Sequence, residues 1–501
     1  MPEVLVGIDS GLTVTKAVVF DLEGRAIGEA SAPNEQDSPH PHWVERDMDQ
    51  LWETAATVVG RALQNAGVQA ADVRGVGLCG HGDGSYLVDA DGRPVRAGIS
   101  SMDTRASDVL SRWETEGLLE RALEVVGITP WAPLPATLVT WVREHEPDVY
   151  ERIRWHLGCK DWLRFRLTGE IHTDFTEAST GFTEVRSQRY APEVFAVFGL
   201  EDFADKVPPV LACGELAGEV SAEAAAATGL LEGTPVVAGA HDIDASAVGI
   251  GVLNPGQLCA ITGTWSINET IIHEPRTTSD WDCRNFVEPG SWLCLSGSPA
   301  SSANLEWFVR QLCAGEVAAA DEKGTSPFEF VGEELSSVLT DDSHVFFHPF
   351  LYGTPGDAPL AAAFLGIRGW HTRAHLLKAL FEGVVFNTLG HINDLRGDLE
   401  ITDIRLTGGG SRSPLWCQMY ADALGAPVST TDASESGALG VALFAGIGTG
   451  VWGSLAQAVQ DTVTVSKIYE PDPARGEQLA EAYETWKALA DALAPVSDRL
   501  A

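Results

Sequence analysis

The chain has 501 residues, 45% of them apolar, and its 71 acidic side chains outnumber 33 basic ones for a formal net charge of −38. Such a length exceeds one simple core and argues for two domains of roughly 250 residues, and such a charge excludes a general binder of nucleic acid, whose phosphates it repels. No stretch approaches the roughly 18 consecutive apolar residues of a membrane span, no basic leader precedes the first strand, and the eight cysteines form no CxxC pair; reduced thiols in the cytoplasm and no membrane partner are expected.

The first 35 residues read as a meander, with strands over 4–8, 16–21 and 26–32 and tight turns between them. A helix is expected over 48–66, with Leu51, Ala55, Val58, Val59 and Leu63 on one face and Gly67 after it. An apolar run at 73–79 reads as a buried strand, followed by Gly80-His81-Gly82-Asp83-Gly84 and a strand at 85–88. Helical spacing returns over 104–125, 137–145 and 159–167. Strand followed by helix recurs throughout, the pattern of an α/β fold with mixed sheets.

Near 249–256 the pattern resets into strand 258–262, turn Gly263-Thr264 and strand 266–272. This repeats the N-terminal strand–turn–strand and hints at two halves of one architecture. The boundary is placed within 246–256, with domains at 1–248 and 249–501. Helices over 302–313 and 372–395, a strand at 404–407, helices at 413–424 and from 437, and an Ala-rich amphipathic helix at 474–493 complete the chain, while 314–330 reads as a surface insertion.

Three strand-to-turn corners carry chemistry. Val236-Val237-Ala238-Gly239-Ala240-His241-Asp242 ends an apolar strand on small residues and delivers a carboxylate to a turn, where a substrate approaching the backbone meets a base. Val4 to Lys16 is also an apolar strand ending in Asp9, Ser10 and Gly11, followed by hydroxyl residues and a cation. Thr407-Gly408-Gly409-Gly410-Ser411 is the third. Together they point to a nucleotide-dependent phosphotransferase working in a cleft between two halves. On so acidic a chain an anionic nucleotide needs backbone N–H nests, Lys or Arg, and a divalent cation.

In this order the pieces resemble the FGGY family of carbohydrate kinases along essentially the whole chain. The resemblance rests on Gly7-Ile8-Asp9-Ser10-Gly11, His42-Trp43-Val44-Glu45-Arg46-Asp47, Asp103-Thr104-Arg105, Lys160-Asp161-Trp162-Leu163, Gly239-Ala240-His241-Asp242, Thr262-Gly263-Thr264-Trp265, Phe364-Leu365-Gly366-Ile367, Glu382-Gly383-Val384 and the Gly408–Gly410 run. It implies a two-domain actin/hexokinase-like (ribonuclease H-like) fold with a central cleft. The L-xylulose kinase and erythritol kinase branch is the most similar, through Gly80 to Gly84, the stretch from Ser298 to Phe308, and Phe350-Leu351-Tyr352-Gly353. The glycerol-kinase pattern has an Arg-Glu pair where this chain has Gly82-Asp83, and a Trp where it has Ser101, which argues against glycerol. Leu12 replaces a hydroxyl residue of the first phosphate loop.

The resemblance implies an ATP-dependent kinase acting on a hydroxyl of a small ketose or polyol, an L-xylulose-like ketopentose or an erythritol-like alditol, with MgATP as co-substrate and a homodimer left open. Asp242 is the expected base, with Asp244 as a cap or supporting partner. Asp9 is expected to hold Mg2+ with Asp242, and Gly11, Thr13, Thr15 and Lys16 to line the phosphates. Gly263 and Thr264 resemble a second phosphate loop, and Gly408, Gly409, Gly410 and Gln418 a nucleotide contact; Glu435 reads as a stabiliser of its own loop. His81, Asp83, Asp103 and Asp242 are expected around the sugar, with Trp131 as a wall, because buried hydroxyls need partners. His81 also reads as a structural histidine, and Asp103-Thr104-Arg105 as an internal ion pair.

Two other readings compete. Gly80 to Gly84 lacks the G-x-G-x-x-G spacing and no helix opens behind it, so a dinucleotide oxidoreductase is rejected. A non-catalytic actin-type sugar sensor would keep the phosphate loops without needing Asp242 or the polyol-binding carboxylates, and both are present. Other specificities within the family (D-xylulose, ribulose, glycerol) stay open.

Overall fold

The computed structural model, which describes residues 3–341, 343–353 and 360–497, builds the N-terminal meander from β1 (Val4–Ser10), β2 (Val14–Asp21) and β3 (Ala26–Pro33). β1 and β2 are antiparallel, with Asp9 opposite Lys16 and Ser10 opposite Thr15. On its other side β1 takes β4 (Val73–Gly80) in parallel, setting Ser10 beside Gly80. Strands β5 (Leu216–Glu219), β6 (Pro235–Val237) and β7 (Ala240–His241) extend the sheet. The order is β5–β6–β4–β1–β2–β3, with β7 pairing β4 so that His241 lies beside Gly80. The carboxyl ends of three parallel strands therefore meet at Ser10, Gly80 and His241, the edge at which open α/β sheets take their ligands.

Helix α1 (Met48–Ala66) falls on the expected residues. Asp47 caps it by accepting from Asp49 and Gln50 N–H, and Gly67 ends it in a left-handed conformation (φ 67°). Its Leu51, Ala55, Val58, Val59 and Leu63 are buried in one core with Val4, Val6, Ile8, Val76 and Trp162, and each such side chain stabilises by about 1.5–3 kcal/mol. Helices α2 (Asp242–Gly249) and α3 (Ser436–Gly448) pack together in the same unit. α3 lies so close to the sheet that a Cβ on Gly7 or Gly77 would stand 2.0 Å from the carbonyl oxygen of Ala438 or Val441. A second core around Trp113, Trp141, Phe182 and Phe203 is built from the residues between 87 and 207.

The first unit gathers Met1–Asn254, Ile271–Cys294 and Ala433–Thr464. The second gathers Pro255–Thr270, Leu295–Asp432 and Val465–Ala501. Both are discontinuous in sequence, where the pattern alone placed one boundary at 248/249.

The second unit repeats the plan of the first. β8 (Gln257–Thr262) and β9 (Ser266–Ile272) form a hairpin, and β10 (Asp403–Thr407), β11 (Val428–Thr431) and β12 (Val465–Tyr469) follow in the order β9–β8–β10–β11–β12. β8, β10 and β11 are parallel and β12 turns antiparallel, as β1, β4, β6 and β5 do. One helix differs from expectation. Helicity over 104–125 is broken into Ser107–Thr115 and Leu118–Val126 by Gly117 at φ 63°. The segment 314–330 is helical over Ala314–Lys323, and the helix Glu329–Ser336 begins in it, anchored by buried Val331 and Leu335. Among the described residues no helix is long and apolar enough to cross a membrane.

Candidate active site

Asp9 stands at the end of β1, half-buried, and Gly437 opens α3 beside it, where a Cβ would come within 2.9 Å of Asp9 Oδ2. Burial first, and then the charge of Asp242, push its carboxyl up to about 7 against the opposing pull of Lys16. Lys16 Nζ donates to Glu435 Oε2 at 2.7 Å, an ion pair next to the carboxylates. Asp242 is the first residue of α2, where the helix N–H groups favour its ionised form. Burial outweighs them and Arg284, and its carboxyl also sits at about 7.

The loop after β1 is tied down through its carbonyls. Asn34 Nδ2 donates to Gly11 O at 2.8 Å, Gln36 Nε2 to Leu12 O at 2.6 Å, the Asn34 N–H to Thr13 O at 2.8 Å, and the buried Arg46 guanidinium to Leu12 O and Gly11 O. What the loop retains for an anion is its Leu12 and Thr13 N–H groups and the exposed Thr13 hydroxyl. Thr15 does not join them: it is fully buried, shares a hydrogen bond with Ser10 Oγ (2.9 Å) and donates to Asn34 Oδ1 (2.8 Å), bracing the loop from beneath.

Four carboxylates surround Arg284, a buried side chain carried by the strand Asp282–Asn285. Its NH2 donates to Asp244 Oδ2 at 2.8 Å. Burial raises Asp83, Asp242 and Asp244 to about 7 and Asp282 to about 6, and Arg284 opposes each shift. Asp83 makes no hydrogen bond among the described residues and is held at φ 56°, a backbone region that non-glycine residues seldom adopt. His241 precedes Asp242 as the α2 cap, its Nδ1 accepting from Ile243 N–H at 3.4 Å and lying 3.1 Å from Asp242 Oδ1. Burial holds its pKa well below the usual value, so the ring is neutral.

His81 and Asp103 take the structural alternatives open to them, and Trp131 packs at the edge of the second core. His81 Nδ1 meets Gly82 O at 3.1 Å and Ser101 Oγ at 3.2 Å, and Nε2 meets the Tyr86 hydroxyl at 3.1 Å. Both nitrogens are spent inside the unit, leaving none for a sugar. Asp103 has no exposed surface: Arg105 donates to it from Nε, NH2 and the backbone N–H, and Val44 N–H adds a bond of 2.7 Å. The Arg105 guanidinium lies 4.0 Å from the Trp43 ring centroid, completing an internal ion pair that shapes the unit. Trp131 is half-buried against the second core.

Beneath Asp242 lies an ionic cluster that periodicity did not reveal. Lys160 is fully buried between Asp161 (2.6 Å), Asp174 and Glu177 (3.8 Å). Burial works against its charge, but the three carboxylates outweigh it and raise its pKa. Arg164 NH1 donates to Asp161 Oδ1 (2.9 Å) and to Ala238 O (2.7 Å), while Thr176 Oγ1 donates to Asp174 Oδ1 and accepts from His241 N–H at 2.8 Å. The strand that delivers Asp242 is thus hung from buried charges. Lys160 and Asp161 stand in a family-like run, but nothing in the pattern signals Asp174, Thr176 or Arg284.

In the second unit, Gly263 and Thr264 form the β8–β9 turn, Thr264 exposed and Gly263 O accepting from Ser302 N–H at 3.0 Å. Gly408 and Gly410 are packing glycines: a Cβ on Gly408 would lie 3.0 Å from the Thr262 carbonyl carbon, and on Gly410 2.7 Å from Thr262 Oγ1. Gly409 is exposed with nothing within 4 Å of such a Cβ. Gln418 spends its amide N–H groups on Asp422 Oδ1 (2.8 Å) and Glu470 O (2.7 Å), a brace between α-helix and C-terminal segment.

Models of the N-terminal and C-terminal domains of the FGGY family of carbohydrate kinases match residues 4–249 and 258–449. The chain belongs to this family. An L-xylulose/3-keto-L-gulonate kinase of Escherichia coli (strain K12) is 32% identical, covering 98% of each chain, and a probable L-xylulose kinase of Pasteurella multocida (strain Pm70) is 33% identical, covering 97% of this chain and 98% of that one. The crystal structure of xylulose kinase from Rhodospirillum rubrum superposes with a TM-score of 0.85 at 28% identity, over 99% of this chain and all of the other. The FGGY chain described here is an ATP-dependent carbohydrate kinase of actin/hexokinase-like fold.

Proposed function

We propose that this FGGY kinase transfers the γ-phosphoryl group of MgATP to a hydroxyl of a small ketose or polyol, with L-xylulose as the leading candidate. The carrying observation is the convergence of Asp9, Asp83 and Asp242 at the ends of parallel strands, with Asp242 at a helix start and its carboxyl near 7. The names of the E. coli and P. multocida relatives support the L-xylulose assignment.

Asp242 accepts the proton of the attacking hydroxyl as its oxygen bonds to the γ-phosphorus and the bond to the bridging oxygen of ADP breaks. Asp83 accepts hydrogen bonds from further hydroxyls of the sugar. Asp9 and Asp242 would hold Mg2+: two half-buried carboxylates that repel one another are a donor set suited to a hard cation. Among the described residues no group of three or more His, Cys, Asp or Glu is arranged to hold a metal ion; water and phosphate would complete the ligand set of such an ion. When bound, the ion neutralises phosphate charge. Thr13 and Lys16 contact phosphates in the first unit; Gly263, Thr264 and the exposed Gly409 contact the nucleotide in the second. Eight unpaired, buried cysteines suit the reducing cytoplasm, where we place the enzyme.

The test is a coupled ADP-release assay across four- to six-carbon ketoses and polyols, repeated with Asp242→Asn. Sugar-dependent ADP release is expected, with turnover of the variant lower by about 10²–10⁴-fold and unchanged circular dichroism. Sugar-independent ADP release, or a variant of normal turnover, overturns the reading.

A further inference from the structure

We propose that Asn387 and His391 are positioning residues for the nucleotide, setting the Gly263–Thr264 turn through the segment 296–302. The inference rests on the reading above, in which this turn contacts the nucleotide, and goes further by naming what holds the turn in place. Both residues lie on the helix Arg373–Asp398, one turn apart on the same face, and both are buried. His391 joins Ser296 Oγ through Nδ1 at 2.8 Å and Ser298 Oγ through Nε2 at 3.0 Å. Asn387 Nδ2 donates to Ser298 Oγ at 2.9 Å and to Ala300 O at 3.3 Å. The strand Trp292–Ser298 ends there, so two side chains grip every second residue of the chain as it leaves the sheet.

Two residues beyond Ala300, Ser302 donates to Gly263 O from its N–H at 3.0 Å and again from its hydroxyl. The far side of the turn is fastened to the same helix. Ser266, opposite Thr262 in register, shares a hydrogen bond with Thr388 Oγ1 at 3.0 Å. Gly297 lets the two strands close: a Cβ on it would stand 2.6 Å from Ser266 O. Burial lowers the His391 pKa to about 4, so the ring is neutral and holds one serine as donor and the other as acceptor. Apolar side chains would fill this space too, but a satisfied polar network fixes one geometry. That matters for a turn that meets its ligand through backbone, because a misplacement of about 1 Å has no side chain to correct it.

Three variants of the full chain test this, by calorimetric titration with MgADP and by steady-state kinetics with MgATP and a ketopentose. Asn387→Ala removes both of its bonds, and Ser298→Ala removes the hydroxyl on which Asn387 and His391 converge. Ile392→Val, a buried change on the same helix, is the control for lost packing alone. For the first two, the MgADP Kd and the MgATP KM are expected to rise about 5-fold, with the sugar KM unchanged, and Ile392→Val is expected to match the wild type in all three constants. Nucleotide constants unchanged in both variants, an equal rise in Ile392→Val, or sugar and MgATP KM rising together overturns the inference, while sugar-dependent ADP release by the wild type leaves the kinase reading standing. Should Asn387→Ala fail to fold, Ser298→Ala decides on the same criteria. A wild type that binds no MgADP overturns both.

Discussion

In the hairpin β1–β2, Ser10 faces Thr15 and Asp9 faces Lys16; in β8–β9, Thr262 faces Ser266 and Ile261 faces Ile267. The backbone plan is the same, down to the parallel strands that follow each hairpin. The hydroxyl pair next to each turn is kept, while the charged pair one step back is replaced by two isoleucines. The first hairpin offers a carboxylate and a cation, the second only a turn of backbone. One copy of the fold therefore manages charge and the other supplies a close backbone surface. Neither hairpin alone suggests this division; their register does.

The most direct way to break the comparison is to make the first hairpin resemble the second. Asp9→Ile is expected to lower turnover by at least about 100-fold, the scale of losing one electrostatic group from a reacting centre. The melting temperature should hold or rise, because burial already raises this carboxyl to about 7 and its removal relieves that cost. An Asp9→Ile enzyme with normal ADP release would show that the two hairpins do not differ in function. Chelation of divalent metal by EDTA should stop the wild type to the same degree.

Next in size is the brace under Asp242. Lys160→Met leaves Asp161, Asp174 and Glu177 buried together without their cation, and loss of one partner from a buried ion cluster costs roughly 3–5 kcal/mol. Denaturant unfolding measures it. A loss below about 1 kcal/mol would mean that the cluster is solvated in solution and does not hold the base.

The pH profile sharpens the role of the first unit. The proposed base, Asp242, could accept a proton only when ionised, and burial raises its carboxyl to about 7. The sugar kcat/KM should therefore rise with pH through about 7 and level off above it, falling about tenfold per unit well below. A flat profile between pH 5 and 8 would contradict a buried carboxylate base.

The strands, their turns and α1 were legible because alternation, caps and glycines are local signals: the Met48–Ala66 helix with Asp47 before it and Gly67 after is a case in point. Asp9, Asp83 and Asp242 were legible because they stand where strands end. What the sequence left hidden is the direction in which a polar side chain turns. Thr15, His81 and Gln418 look like ligand-binding groups until Asn34, Tyr86 and Glu470 take up their hydrogen bonds, partners that no motif names, whereas Asp103 and Arg105 stand in one motif whose reading as an internal ion pair was open from the start. Arg284 was hidden for the same reason. It arrives on a segment, Ile271–Cys294, that returns to the first unit after the second has begun.

The smallest effect belongs to the second unit, and it tests whether that unit works through backbone alone. Gly410→Ala must displace the Thr262 hydroxyl, whose own bond to Thr407 O spans 2.9 Å, so it should cost stability whatever the ligand does. Gly409→Ala meets nothing within 4 Å and its φ is not positive, so its melting temperature without ligand should match the wild type. Only an approaching nucleotide would notice the added methyl. A rise of about threefold in the MgATP KM, the scale of one crowded methyl contact, with the sugar KM unchanged, would assign this turn to the nucleotide. If both constants stay at the wild-type values, Gly409 is a surface turn, and the nucleotide contact in the second unit falls to Gly263 and Thr264.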